Sequence, residues 1–331
     1  MNRVSALTWV TLLLASMHLP STLTHAQPAE GTPRLCFLTF DPGSTLRSNR
    51  YGDFFDALRK LGYQDGRTVR VDYFSAEGNS ERFAALAAEC VKRRASVIVA
   101  STTPAALAAK RATSTIPIVL TPLGDPVGSG LVDSLSRPGG NVTGTTQSAP
   151  AMAAKRMELL KEAVPHVSRV LVLSYLIDPI APPQVEQIKV VAEKLGVKLL
   201  IREIRTAEDL SAAFEAGARE NVDAVMPTNE SIFVANRRRV IELASKYRLP
   251  AIYFNLAFAE AGGLMVYAAN LPSLNARSAA YVDRVLKGVK PADLPIEQPS
   301  KFDFVVNLKA ANALGISIPQ TLLMRADQVI Q

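Results

Sequence analysis

The chain is predicted to be an α/β protein made of two doubly wound parallel-sheet lobes with a hinge between them. Three features of the sequence predict this. Short apolar runs rich in Val, Ile and Leu alternate with amphipathic helical patterns, the rhythm of βαβ units whose strands are buried on both faces. Most of these runs end in a small polar or turn-forming cluster, at the strand edge where parallel sheets bind small ligands. The rhythm closes once near Gln147 and starts again at Ala151 without an evident internal repeat, so two α/β halves of similar size follow one another. With 331 residues, 48% hydrophobic and 20% charged, each half has enough apolar side chains for its own core.

Residues 34–40 (RLCFLTF) read as the first strand, closed by Asp41-Pro42-Gly43-Ser44. The helix after it carries Tyr51, Phe54, Phe55, Leu58 and Leu61 on one face and is stopped by Gly62. Residues 69–74 form a second strand. Ser80 is placed to cap a helix whose inward face holds Phe83, Leu86, Ala87, Cys90 and Val91. A strand over 96–100 runs into Ser101-Thr102-Thr103. Thr103 then caps an Ala-rich helix with Pro104 at its first position. Strand 116–120 ends in Thr121-Pro122-Leu123-Gly124-Asp125, and strand 142–146 follows Arg137-Pro138-Gly139-Gly140. Five such strands make a doubly wound parallel sheet, for which 2-1-3-4-5 is a common order. In that order the Cys90 helix crosses the Cys36 strand, which leaves two readings open: a Cys36–Cys90 contact, or two separate buried thiols.

The second half repeats the pattern. A helix over 152–164 leads to strand 169–174 and Tyr175. A helix from Pro183 places Val185, Ile188, Ala192 and Leu195 inward, and strand 198–204 follows. Thr206 and Asp209 resemble a capping box for a helix with Leu210, Ala213 and Phe214. Strand 224–227 ends in Thr228-Asn229. A helix to Tyr247 precedes strand 251–254, ending in Asn255, and strand 264–268. The tail holds an amphipathic helix from Ser273, a Pro-rich link (Pro291, Pro295, Pro299) and a strand over 302–306. A short helix between Asn307 and Gly315 closes it. This tail is expected to return to the first half, so that several crossings form the hinge.

The first residues differ from the rest. Asn2-Arg3, an apolar run over 6–19 interrupted by Thr11, Ser16 and His18, and Ala26 before Gln27 read as a cleaved secretory signal peptide over 1–26. The run is shorter than the roughly 18 apolar residues of a membrane span. The mature protein is therefore expected to be exported and periplasmic. Two cysteines are too few for a Cys-rich framework or a multi-Cys metal site. The net charge of +7 comes from scattered basic residues; the longest run, Arg237-Arg238-Arg239, splays around a helix and makes no stripe. No aromatic–basic interleaving points to nucleic acid.

The usual catalytic sets are missing as well. After the signal only His166 remains to serve as a base, and no G-x-S-x-G is present. The segment Gly139 to Thr145 lacks the Lys of a phosphate loop, and Gly128-Ser129-Gly130 has Asp133 where a dinucleotide fingerprint needs Gly. No His or Cys spacing suits a metal. The chain is read as a non-enzyme without cofactors.

Binding fits better. The strand ends supply Thr39, Asp41, Ser44, Ser101, Thr102, Thr103, Asp125, Thr146, Tyr175, Thr228, Asn229, Phe254, Asn255 and Tyr267 as candidate ligand-binding residues. Hydroxyls and amides satisfy a small polar ligand while rings cover its apolar part. Amides opening the helix at Thr103 suit a carboxylate, and Asp125 suits an ammonium.

Several motifs carry a family resemblance. They are Thr102-Thr103-Pro104-Ala105-Ala106-Leu107-Ala108-Ala109, Ile116-Pro117-Ile118-Val119, Gly124-Asp125-Pro126-Val127-Gly128-Ser129-Gly130-Leu131-Val132 and Arg137-Pro138-Gly139-Gly140-Asn141-Val142-Thr143-Gly144. Lys155 to Glu162, Glu260 to Met265, Tyr281 to Gly288 and Leu323 to Asp327 extend the match. With these segments the chain resembles the ABC-transporter substrate-binding proteins of the tryptophan/tyrosine type. The resemblance implies two type I periplasmic-binding-protein lobes, 33–147 with about 271–331 and 148–270, that close on a ligand. It implies delivery of a solute to an inner-membrane permease driven by a separate ATPase; the resemblance does not fix the solute, and the expected one is an amino acid or related small carboxylate, bound by a monomer. A periplasmic ligand-sensing protein for a membrane signalling receptor is the alternative. A regulator sharing the fold would need a helix-turn-helix where the signal segment stands.

Overall fold

The computed structural model describes residues 31–43 and 51–331. The expected signal segment and Ser44 lie outside the described residues. The first lobe runs β1 (Arg34–Thr39), α1 (Gly52–Lys60), β2 (Arg70–Ser75), α2 (Phe83–Lys92), β3 (Val97–Ala100), α3 (Thr103–Ala112), β4 (Ile118–Leu123) and β5 (Val142–Thr146). Its sheet is parallel throughout, in the order β2-β1-β3-β4-β5.

The period-two alternation of the strands divides this lobe into two cores. Leu35, Phe37, Val97 and Val99 pack with Phe54 and Leu58 of α1. Cys36, Leu38, Ile98 and Ala100 face Phe83, Ala87 and Cys90 of α2 on the other side. Cys36 and Cys90 are joined in a disulfide with a Cα–Cα distance of 5.8 Å, which decides between the two readings open in the sequence. At the β4–β5 pair the register shifts between Leu120 and Leu123. Gly144 permits the close approach there: it sits at φ +131°, and a Cβ on it would lie 2.3 Å from the Leu120 carbonyl oxygen.

The second lobe continues with α4 (Ala149–Ala163), β6 (Arg169–Ser174), α5 (Ala181–Lys194), β7 (Lys198–Glu203), α6 (Asp209–Arg219), β8 (Ala224–Pro227), α7 (Ser231–Ala235), α8 (Arg237–Lys246), β9 (Ile252–Tyr253), α9 (Leu256–Glu260) and β10 (Met265–Ala269). The chain then passes through α10 (Leu271–Leu286) to β11 (Phe302–Asn307), α11 (Leu308–Leu314), α12 (Gln320–Leu323) and β12 (Gln328–Ile330). Strands pair as β7-β6-β8 and β9-β10-β11-β12, and a Val225–Ala251 bridge joins the two sets. Val170 and Val172 pack toward α4 and α5, whereas Leu171 and Leu173 pack toward α6 and α8.

The tail, expected wholly in the first lobe, divides. α10 packs on that lobe, with Ala279, Val282 and Val285 in the core that holds Phe37 and Phe54. Thr143 Oγ1 donates to the Leu294 carbonyl, and Thr145 bridges to Glu297. The chain then crosses again, because β10 leaves an edge of unpaired backbone groups that β11 satisfies antiparallel, with β12 parallel beyond it. Connections between the lobes thus follow β5, β10 and Glu297.

Local corrections are smaller. Thr102, not Thr103, caps α3: its backbone is extended and its Oγ1 accepts from Ala105 N at 3.3 Å, while Thr103 is the first helical residue. Asn79, not Ser80, caps the 3₁₀ turn that leads into α2. Leu61, counted on the apolar face of α1, is 43% exposed. Asp209 does reach back, accepting from the amides of Arg205 and Thr206. Asn307 caps α11 and Gly315 ends it at φ +73°, as expected. Among the described residues no helix is long and apolar enough to cross a membrane.

Candidate functional site in the interlobe cleft

The carboxyl ends of β3, β4 and β5 face those of β6, β8 and β9 across a narrow cavity of about 60 Å³. β3 is buried along its whole length, so the chain reaches solvent only at Ser101, where polar residues become affordable. The first lobe contributes Ser101, Thr102, Thr103, Gly124 and Gln147 to the lining. Asp178, Ile180, Asn229, Glu230, Phe254 and Asn255 come from the second. A larger chamber of about 650 Å³ shares Val234, Asn255 and Leu271 with it and is walled in part by Leu256, Ala257, Ala268 and Pro272.

A chain of hydrogen bonds spans the cleft. Gln147 Nε2 donates to the Pro122 carbonyl at 2.7 Å, and its Oε1 accepts from Asn229 Nδ2 of the opposite lobe at 2.9 Å. Asn229 N donates to Gln184 Oε1, and Gln184 Nε2 donates to Glu230 Oε1, both at 2.9 Å. Glu230 Oε2 lies 2.6 Å from Thr228 Oγ1, which is 3.0 Å from the Leu173 carbonyl.

Burial sets the charges on the second lobe's wall. It pushes the Glu230 carboxyl well above its ordinary range, helped by the Asp178 charge and opposed by Thr228, Gln184 and Arg156. The Thr228 hydroxyl stands within donating distance of both Glu230 Oε2 and the Leu173 carbonyl, and its single proton serves one of them at a time. Asp178 is raised to about 6 by burial, against the Ile180 amide that donates to it. Behind this wall lies Arg156, lowered to about 10 by burial. Its Nη1 reaches the Tyr267 carbonyl at 3.5 Å, its Nε and Nη2 have no hydrogen-bond partner among the described residues, and its guanidinium carbon is 6.0 Å from the Phe254 ring centre.

At the α3 terminus, Pro104 has no N–H and the Ala105 N–H is taken by Thr102. The Thr103 N–H and the hydroxyls around it are therefore the donors that this wall presents. Donors on one lobe and a carboxyl that titrates near neutrality on the other suit a molecule carrying both a carboxylate and an ammonium group.

Of the candidate residues, Ser101, Thr102, Thr103, Asn229, Phe254 and Asn255 come together in the cavity. Thr228 is buried behind Glu230. Asp125, expected to meet an ammonium, instead closes its own turn by accepting from Gly128 N at 2.9 Å. Thr146 is buried and donates to the Leu123 carbonyl beside the lobe crossing. Thr39 contacts Asp41 and Tyr51, and Asp41 borders the larger chamber. Tyr175 lines a separate cavity with Phe83 and Leu107, and Tyr267 stacks on Phe302 at 5.8 Å. Asp178, Glu230 and Gln147 were missed. Each stands within four residues of a strand end, which is a signal of position, but nothing in the sequence marks Asp178 and Glu230 as buried or pairs Gln147 with the opposite lobe.

Residues 43–330 match the family model described as ABC transporter substrate binding protein. A tyrosine-binding protein of Clostridioides difficile (strain R20291) is 26% identical over 278 residues, covering 83% of this chain and 80% of that one. Among solved structures the chain is similar to an ABC domain in complex with L-Trp from Streptococcus pneumonia. The identity is 29% and the TM-score 0.83, over 90% of this chain and 100% of that one. It is also similar to the ligand-free, open structure of a substrate binding protein with adhesive properties from Clostridium difficile. There the identity is 25% and the TM-score 0.66, over 90% and 99%.

Proposed function

Because the chain belongs to the ABC transporter substrate binding protein family, we propose that it is the exported, periplasmic solute receptor of an importer and that its solute is an amino acid with a bulky apolar side chain. The observation that carries this reading is the pairing of two chambers. The small one is lined by the Ser101–Thr103 donors and the Asp178 carboxyl and takes the zwitterionic head. It holds little more, and the contiguous larger chamber, with Leu256, Ala257 and Leu271, takes the side chain. The named relatives support the class: one is called tyrosine-binding and one holds L-Trp.

Binding works by closure. The three connections between the lobes act as a hinge, and closing brings Asn229 onto Gln147 over the solute. The higher TM-score to the L-Trp complex than to the ligand-free, open structure supports reading the arrangement described here as the closed one. The closed form docks on an inner-membrane permease with its ATPase.

A thermal-shift screen of the mature chain with the common amino acids tests the reading. A true solute stabilises the fold by about 2.7 kcal/mol at 100 times its Kd. Aromatic amino acids are expected to raise the melting temperature and Asp178→Asn to reduce the shift. If no amino acid moves the melting temperature, the reading fails.

A further inference from the structure

A second cavity lies on the opposite edge of the second lobe. It has a volume of about 430 Å³ and is bounded by the end of α8, the Gly262–Gly263 turn and α11. Gly262 and Gly263 precede β10 and Ala251 precedes β9, so the cavity opens at the amino ends of these strands. The cleft lies at their carboxyl ends.

Two nearly buried side chains line it with unused donors. Tyr253 is 1% exposed, stacked on Phe258 with ring centres 4.4 Å apart. Its ring passes over Gly263, where a Cβ would come within 2.7 Å of Cε2, so the glycine makes room for it. Its hydroxyl has no hydrogen bond among the described residues, and burial raises its pKa, which keeps it an O–H donor. Asn307 is 6% exposed; its Oδ1 is committed to capping Ala310 N at 3.0 Å, and its Nδ2 has no acceptor among the described residues. Arg248 and Lys309 stand at the same cavity, neither ion-paired among the described residues. No Asp or Glu lines it, while Leu249, Leu264 and Leu314 give it an apolar wall.

We propose that this cavity is a second ligand site, separate from the cleft, for a small carboxylate with an apolar body. Buried polar groups are seldom left without partners, and the unused Tyr253 hydroxyl and Asn307 Nδ2 can both donate, while the exposed Arg248 and Lys309 add two cations at the rim. A set of donors with two cations and no carboxylate selects an anion through charge-assisted hydrogen bonds. The leucine wall selects an apolar body over a bare inorganic ion. The site is independent of the solute reading, since none of its residues touches the cleft.

Benzoate is the probe, with benzylamine as its counterpart of opposite charge, titrated into the full mature chain by calorimetry. Benzoate is expected to bind and benzylamine to bind at least about tenfold more weakly. Arg248→Ala with Lys309→Ala should weaken benzoate at least about tenfold. Tyr253→Phe, which keeps the stacked ring, should weaken it severalfold. Both variants should leave amino-acid shifts in the thermal assay unchanged, and a Thr102→Ala, Asp178→Asn cleft variant should leave benzoate affinity unchanged. The proposal is overturned by no binding at millimolar benzoate, by equal binding of benzylamine, or by benzoate affinity that the cleft variant abolishes and the Arg248, Lys309 variant preserves.

Discussion

Reduction of the Cys36–Cys90 bond isolates one term in the stability of the first lobe. Both sulfurs sit in a core whose cysteines are fully buried, so the reduced protein keeps nearly the same packing and loses mainly the cross-link. The bond closes a loop with a sequence separation of 54. In the chain-entropy model such a loop removes about 14 cal/mol/K from the unfolded ensemble, which is about 4 kcal/mol at 25 °C. With a urea m-value of about 2 kcal/mol/M, typical of a domain this size, the midpoint should fall by about 2 M. The assay is urea unfolding followed by far-ultraviolet circular dichroism, with and without reductant, on protein whose cross-link is first established by mass spectrometry. The transition belonging to the first lobe should move and that of the second should not. Coincident midpoints for cross-linked and reduced protein would refute the loop-closure reasoning.

Two further outcomes follow from the cleft and the sheet. Asp178, moved from its ordinary 3.8 to about 6, binds a proton in the folded state that it releases when unfolded, so stability is fully present below about pH 4 and falls by about 3 kcal/mol as pH rises through 6. Asp178→Asn should remove about 3 kcal/mol of the fall in thermal melts at graded pH and leave the part that the raised Glu230 carboxyl contributes; a fall of unchanged size after the substitution would refute the role of Asp178. Gly144→Ala places a Cβ 2.3 Å from the Leu120 carbonyl oxygen and should cost several kcal/mol or prevent folding, whereas Gly140→Ala, at φ +113° with nothing within 4 Å, should cost only about 1–3 kcal/mol. Equal losses in urea unfolding would remove the steric role given to Gly144.

Much of the fold was legible because it is local. The strands read at 169–174 and 224–227 appear with those bounds, since a strand buried on both faces is a largely apolar run that neighbours cannot disguise, and 142–146 (VTGTT) also appears with its bounds after the Pro-Gly-Gly turn that precedes it. The rhythm gave the doubly wound class, and the first sheet has the common order of that class, β2-β1-β3-β4-β5. Asn307 and Gly315 marked α11 because a cap and a left-handed stop are properties of a few adjacent residues. At α3 two threonines in succession offered the same chemistry, and only the backbone angle at Thr102 chose between them.

What the chain could not declare is whatever depends on a distant partner. β11 reads as a strand from its own residues, but its place in the second lobe depends on the open edge of β10. Cys36 and Cys90 were a candidate pair, and pairing required the two side chains to meet on one face of the sheet. Within the candidate site, Ser101 to Thr103 were visible as a polar end to an apolar strand, and they do line the cavity. Asp125 looked equally eligible, yet its carboxylate is satisfied by its own turn. Asp178 and Glu230 carry no mark in the neighbouring sequence that sets them apart from other acids. Burial raises both carboxyls, and that burial depends on residues distant in the chain, such as Gln184 against Glu230, rather than on any short stretch of sequence.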